Sequence, residues 1–103
     1  MFKIYTKEVE FTDASGETGK YTLLPLSGDW LPALYKVIKK LQVEEGETMD
    51  EDAMGEFHSI ALETFKKSYP EEDEINLNLW VSQNLMKLVE PVMEVNLGNP
   101  NVE

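Results

Sequence analysis

The chain has 103 residues, with 20 acidic residues against 9 basic ones, a formal net charge of −11 and no cysteine. That length suits one domain with one modest core, and the lack of cysteine excludes disulfides and thiolate metal sites. Every cation is a lysine; without arginine's bidentate fork, and with a charge that repels a polyanion, the chain is not expected to bind nucleic acid.

The hydrophobic fraction of 42% is ordinary for a folded protein. No apolar run approaches the roughly 20 residues of a membrane span. The first residues, Met1 to Lys7, alternate apolar and polar and lack the apolar stretch of a signal peptide. A cytosolic protein without membrane contact is therefore expected.

Residues 2 to 11 read as a strand, with Phe2, Ile4 and Thr6 alternating with Lys3, Tyr5 and Lys7 before Val9 and Phe11. Turn formers from Thr12 to Gly19 predict a loop, and Tyr21 to Leu26 a second strand. Pro25 lacks an amide donor and belongs at an edge or a strand end. The pair makes a hairpin, which is marginal alone in water and must pack on something.

Helices supply that support. Ser27, Gly28 and Asp29 offer a cap, Pro32 suits a first turn, and Trp30, Leu34, Val37, Ile38 and Leu41 follow at helical spacing. Glu44 to Thr48 breaks the pattern and reads as a solvated connection. A second helix is predicted from about Asp50 to Lys67, with acids at its start and lysines at its end, as the helix dipole favours. Met54, Phe57, Ile60, Ala61 and Phe65 form its apolar face. Pro70 followed by four acids marks the start of a third helix. In it, Leu77, Val81, Leu85, Leu88 and Val92 share a core face, while Leu79, Met86 and Met93, spaced by sevens, fall nearly opposite. A helix apolar on two sides is buried between layers or shows one side to a partner. Pro91 should kink or end it, and residues 98–103 read as a loose tail. The expected fold is α+β: an N-terminal β-hairpin packed on a three-helix C-terminal part, one domain over residues 1–97.

Chemistry is sparse in this sequence. The single histidine, His58, has no recognisable nucleophile motif beside it; a partly buried structural role is the expectation. The acid runs Asp50–Asp52 and Glu71–Glu74 do not follow a calcium loop, and as helix starts they already have an explanation. Gly16 and Gly19 lack the lysine–hydroxyl pair of a phosphate loop. No catalytic, cofactor or metal residue is assigned. The residues expected to carry function are Leu79, Met86 and Met93, as an adaptable apolar contact stripe, with Trp80 as an interface anchor or a core edge.

The phrases Leu62-Glu63-Thr64-Phe65-Lys66-Lys67-Ser68-Tyr69-Pro70, Trp80-Val81-Ser82-Gln83-Asn84-Leu85 and Leu88-Val89-Glu90-Pro91-Val92-Met93-Glu94-Val95-Asn96 resemble the tail assembly chaperones of long-tailed bacteriophages (the siphophage type). The resemblance covers the C-terminal half best. It implies a non-catalytic protein of the host cytoplasm that binds the hydrophobic tape measure protein, keeps it soluble and aids recruitment of the tail tube protein. Self-association through the same stripe is compatible with that role. Two other readings compete: a structural head–tail or tail component that stays in the virion, and an acidic DNA mimic resting on net charge alone. An enzyme ranks last.

Overall fold

The alternating segment at the N-terminus and the turn formers after it form an antiparallel hairpin. Strand β1 spans Lys7–Thr12 and β2 spans Thr18–Leu23, in a register that sets Val9 against Tyr21 and Phe11 against Gly19. The computed structural model describes residues 4–40 and 51–97 in full, and the backbone alone of residues 41–43. The expected Glu44–Thr48 connection, the tail 98–103, Phe2 and Lys3, Asp50 and the Leu41 side chain lie outside the described residues; Ile4 to Thr6 are described and carry no strand, so β1 begins at Lys7, later than the alternation implied.

The hairpin loop is shorter than expected, and its chemistry explains why. The Asp13 carboxylate accepts from the amides of Ser15 and Glu17, both at 3.0 Å, and from the Ser15 hydroxyl at 2.6 Å. Gly16 adopts φ +93°, a backbone region that side chains disfavour. This turn lets Thr18 to Lys20 join β2. The strand ends at Leu23 rather than Leu26, before Pro25, which has no amide to donate.

A 3₁₀ turn at Gly28–Trp30 leads into α1, Leu31–Val43, with Pro32 in its first turn. Ser27 precedes that turn without a side-chain cap bond. Helix α2, Glu51–Ser68, follows its expected span closely. It is the centre of the packing, touching α1, α3, α4 and β2. Its buried residues Phe57, Ile60, Ala61 and Phe65 recur at helical spacing, and the buried Thr64 hydroxyl is satisfied by the Ile60 carbonyl at 2.8 Å.

The rest of the chain departs from the expected single third helix. Helix α3 spans Glu74–Gln83, a 3₁₀ turn covers Leu85–Leu88, and α4 spans Val89–Leu97. The described residues therefore carry four α-helices, and the fold is α+β. Helix α3 begins after Asp73, whose carboxylate accepts from the Asn76 amide at 3.0 Å; the side-chain cap, rather than Pro70, sets the start. The division falls at Asn84, not at Pro91. Asn84 leaves helical geometry (φ −113°, ψ 13°), and its side chain bonds across to the hairpin, as described below. Pro91 sits in the first turn of α4, where its missing amide breaks no hydrogen bond.

The core gathers Phe11 and Leu23 of the hairpin with Leu34, Val37, Phe57, Ile60, Val81, Leu88, Val92 and Val95. Each such side chain contributes about 1.5–3 kcal/mol by leaving water. Both strands thus rest one face on helices, which supplies the support that an isolated hairpin lacks.

Candidate functional site

Helix α3 carries apolar residues on opposite sides, and α1 likewise leaves Leu31 and Tyr35 exposed while Leu34 and Val37 are buried. Val81 is buried, Leu77 is half-buried, yet Ile75 and Leu79 are 72% and 59% exposed. Ile75 and Leu79 lie one turn apart and share a face. Met86, in the 3₁₀ turn that follows, is 52% exposed. None of these three is packed against the core. An apolar helix face left open in a chain of this acidity is the feature of the surface that most needs a reason.

The expected stripe does not survive whole. Met93 is only 8% exposed and belongs to the core, in α4. A spacing of seven keeps residues in line only along one continuous helix. The interruption at Asn84 and the 3₁₀ turn after it rotate the later segment, so Met93 turns inward while Leu79 and Met86 stay out.

Trp80 is half-buried, and it holds the hairpin to the helices. Its ring centroid lies 5.6 Å from Phe11, 5.5 Å from Tyr21 and 5.3 Å from Phe65. Edge-on and tilted contacts of this kind add stabilisation beyond the area they bury. The indole N–H donates to Asp13 Oδ2 at 3.3 Å. The Asp13 carboxyl is held below its ordinary value, chiefly by the Ser15 hydroxyl, with burial opposing and the Trp80 and backbone donors assisting. One side of Trp80 lines a shallow hollow of about 280 Å³ with Tyr21, Phe65, Tyr69 and Leu77, and Glu72 and Asn76 at its edge. Burial, together with the Asp13 charge, pushes the Tyr21 phenol up.

Two asparagines that the sequence reading passed over bind these elements together. Asn84, 2% exposed, accepts from the Ala14 amide through Oδ1 at 2.8 Å and donates through Nδ2 to the Trp80 carbonyl at 2.8 Å. Asn96 accepts from the Leu26 amide at 2.7 Å and donates to Thr64 Oγ1 and the Val92 carbonyl at 3.0 and 2.8 Å. Both lie at core-facing helical spacing: Asn84 three residues after Val81 and four before Leu88, Asn96 four after Val92. A polar residue on an apolar stripe is the signal that was available.

His58 bridges α2 to α3. Its Nε2 is 3.1 Å from Asn78 Oδ1 and 3.0 Å from Ser82 Oγ. The serine contact resembles a nucleophile–base pair in distance alone. Both neighbours crowd the same ring nitrogen, and among the described residues no carboxylate orients the imidazole through Nδ1, as the triad logic requires. The arrangement is that of an interhelical tie.

Among the described residues, no three His, Asp or Glu side chains are gathered as a metal ion needs, and no helix is long and apolar enough to cross a membrane. The phrases that carry the family resemblance contain Ser68, Tyr69, Asn84 and Asn96, each of which fastens the hairpin to the helices here. Compared with known proteins, the chain matches no family model, no curated protein and no solved structure.

Proposed function

We propose that this chain is a non-catalytic protein-binding domain that serves as a phage tail assembly chaperone. In the host cytoplasm it keeps the tape measure protein soluble and assists the joining of tail tube protein. The observation that carries this reading is the open apolar face of Ile75 and Leu79 on α3, with Met86 exposed in the turn that follows, on a strongly acidic chain. A long helical partner with exposed apolar residues needs such a face, and the net charge of −11 supplies solubility to the complex. Leucine and methionine suit an adaptable contact, because the flexible thioether repacks at low cost. The sequence phrases that resemble tail assembly chaperones support the same role.

The direct test is co-expression with the tape measure protein from the same genome. Soluble co-purification is expected, and it should be lost when Leu79→Glu and Met86→Glu are introduced together while helical content stays unchanged. A tape measure protein that precipitates while this chain stays in solution would defeat the proposal. Finding the chain in purified mature particles would favour a permanent tail component instead.

A further inference from the structure

The two edges of the hairpin are finished differently. Along β2 and the segment after it, the outward amides of Thr22, Leu24 and Leu26 donate to Tyr69 Oη, Ser68 Oγ and Asn96 Oδ1 at 2.8, 2.9 and 2.7 Å. That edge is closed by side chains of the helical part. The same bonds define the other edge. An amide of Thr22 that turns toward Tyr69 is not shared with β1, so Thr22 and its opposite residue Glu8 form a non-bonded pair. By the alternation of an antiparallel ladder, Glu10, opposite Lys20, is also non-bonded. The main-chain groups of Glu8 and Glu10 therefore point outward, and among the described residues none has a partner. Among the described residues, the cap on this edge is at its end, where Lys87 Nζ lies 3.4 Å from the Thr12 carbonyl.

Beside this open edge runs a groove of about 350 Å³ between β1 residues 7–11 and a helical wall of Lys87, Glu90, Pro91 and Glu94. A groove between a free strand edge and a helix is a setting in which an extended peptide adds as a further strand, gaining main-chain bonds on one side and side-chain contacts on the other. Five residues of β1 offer about 17 Å of edge at 3.4 Å per residue.

The charges select the occupant. Glu94 is engaged by Lys7 at 3.1 Å, and Lys87 is turned to the Thr12 carbonyl. Glu8, Glu10 and Glu90 remain as carboxylates along the groove with no ion pair among the described residues, on a chain of net charge −11. A second copy pairing antiparallel about Val9 would set Glu8 against Glu10 of its twin, and like charges directly opposite are destabilising. We infer that the β1 edge and the α4 wall form a strand-addition site for an extended, lysine- or arginine-bearing polypeptide segment. The site is separate from the apolar face of α3 and does not depend on the tail-assembly reading.

The test uses the full chain, nitrogen-15 labelled, titrated with a short blocked peptide that alternates lysine and valine. Two controls accompany it: the same peptide methylated on alternate backbone nitrogens, which keeps its charge but removes its edge donors, and the protein variant Glu8→Gln with Glu10→Gln. The expected result is a shift of the amide signals of residues 7–11 and 87–94, with slowed hydrogen exchange at the Glu8 and Glu10 amides. The methylated peptide and the double variant should each weaken binding by about tenfold, the scale of a few lost hydrogen bonds or screened charge contacts. Equal binding of the methylated peptide would overturn the proposal, as charge attraction without strand addition. Shifts confined to α3, or no binding, would overturn it too. Protection of the Glu8 and Glu10 amides with dimerisation in the absence of peptide would assign the edge to a second copy and overturn the basic-segment reading.

Discussion

Replacing Asn84 by alanine isolates the residue that divides the helical part. The side chain is 2% exposed and makes two hydrogen bonds of 2.8 Å, one to the Ala14 amide of the hairpin turn and one to the Trp80 carbonyl. The Trp80 carbonyl keeps the backbone amide of Asn84, at 3.2 Å, so its loss is partial. The Ala14 amide loses the partner that holds the turn to the helix break. At about 1 kcal/mol per bond, Asn84→Ala should cost about 2 kcal/mol. For a chain of this size, that lowers the melting temperature by about 8–16 °C. The better helix propensity of alanine recovers none of this as long as the backbone keeps its bent geometry, because propensity acts only on a helical residue. The assay is urea unfolding followed by circular dichroism, with amide exchange at Ala14 read by NMR. Gln83→Ala, at the exposed neighbour, is the control and should change stability by less than about 0.5 kcal/mol. If Asn84→Ala behaves like that control, the side chain does not hold the break, and the account of why the third helix is divided fails.

Two further outcomes follow from the same geometry. Met93→Ala should destabilise the fold by about 2–5 kcal/mol, as removal of a buried methionine does, whereas Met86→Ala should leave stability within about 0.5 kcal/mol; equal effects in denaturant unfolding would contradict the inward turn of α4. Asp13 sets part of the acid flank of stability. Its folded carboxyl titrates below the ordinary value of 3.8, so the native state favours the charged form. The stabilisation is complete above that ordinary value and is lost as pH falls through the lowered one. The stability difference between the wild type and Asp13→Asn should therefore shrink as the pH falls below the ordinary carboxylate value and through the lowered one; a constant difference would mean that titration of Asp13 is not linked to folding.

The sequence was legible where a single periodicity ran unopposed. The α2 span followed from Phe57, Ile60, Ala61 and Phe65 with acids before and lysines after, because both the apolar stripe and the helix dipole act locally. The hairpin was legible as alternation around a cluster of turn formers, though its bounds moved once the Asp13 carboxylate closed the turn. The candidate surface was half legible. Leu79 and Met86 are exposed as their spacing implied, while Met93 is not, since a seven-residue spacing says nothing about whether the helix between is continuous.

Local sequence alone determined the α+β class, the order of hairpin and helices, the charge, and most of the core-facing residues, because each depends on spacing and propensity within a few residues. Tertiary structure alone decided where the third helix divides, that the Trp80 ring packs against Phe11, Tyr21 and Phe65, and which hairpin edge stays open. Those outcomes rest on bonds such as Ala14 to Asn84 and Leu26 to Asn96, which join residues 70 apart in the chain. A side-chain amide at a core-facing position announces that it needs a partner; only the packed chain supplies the atoms that meet it.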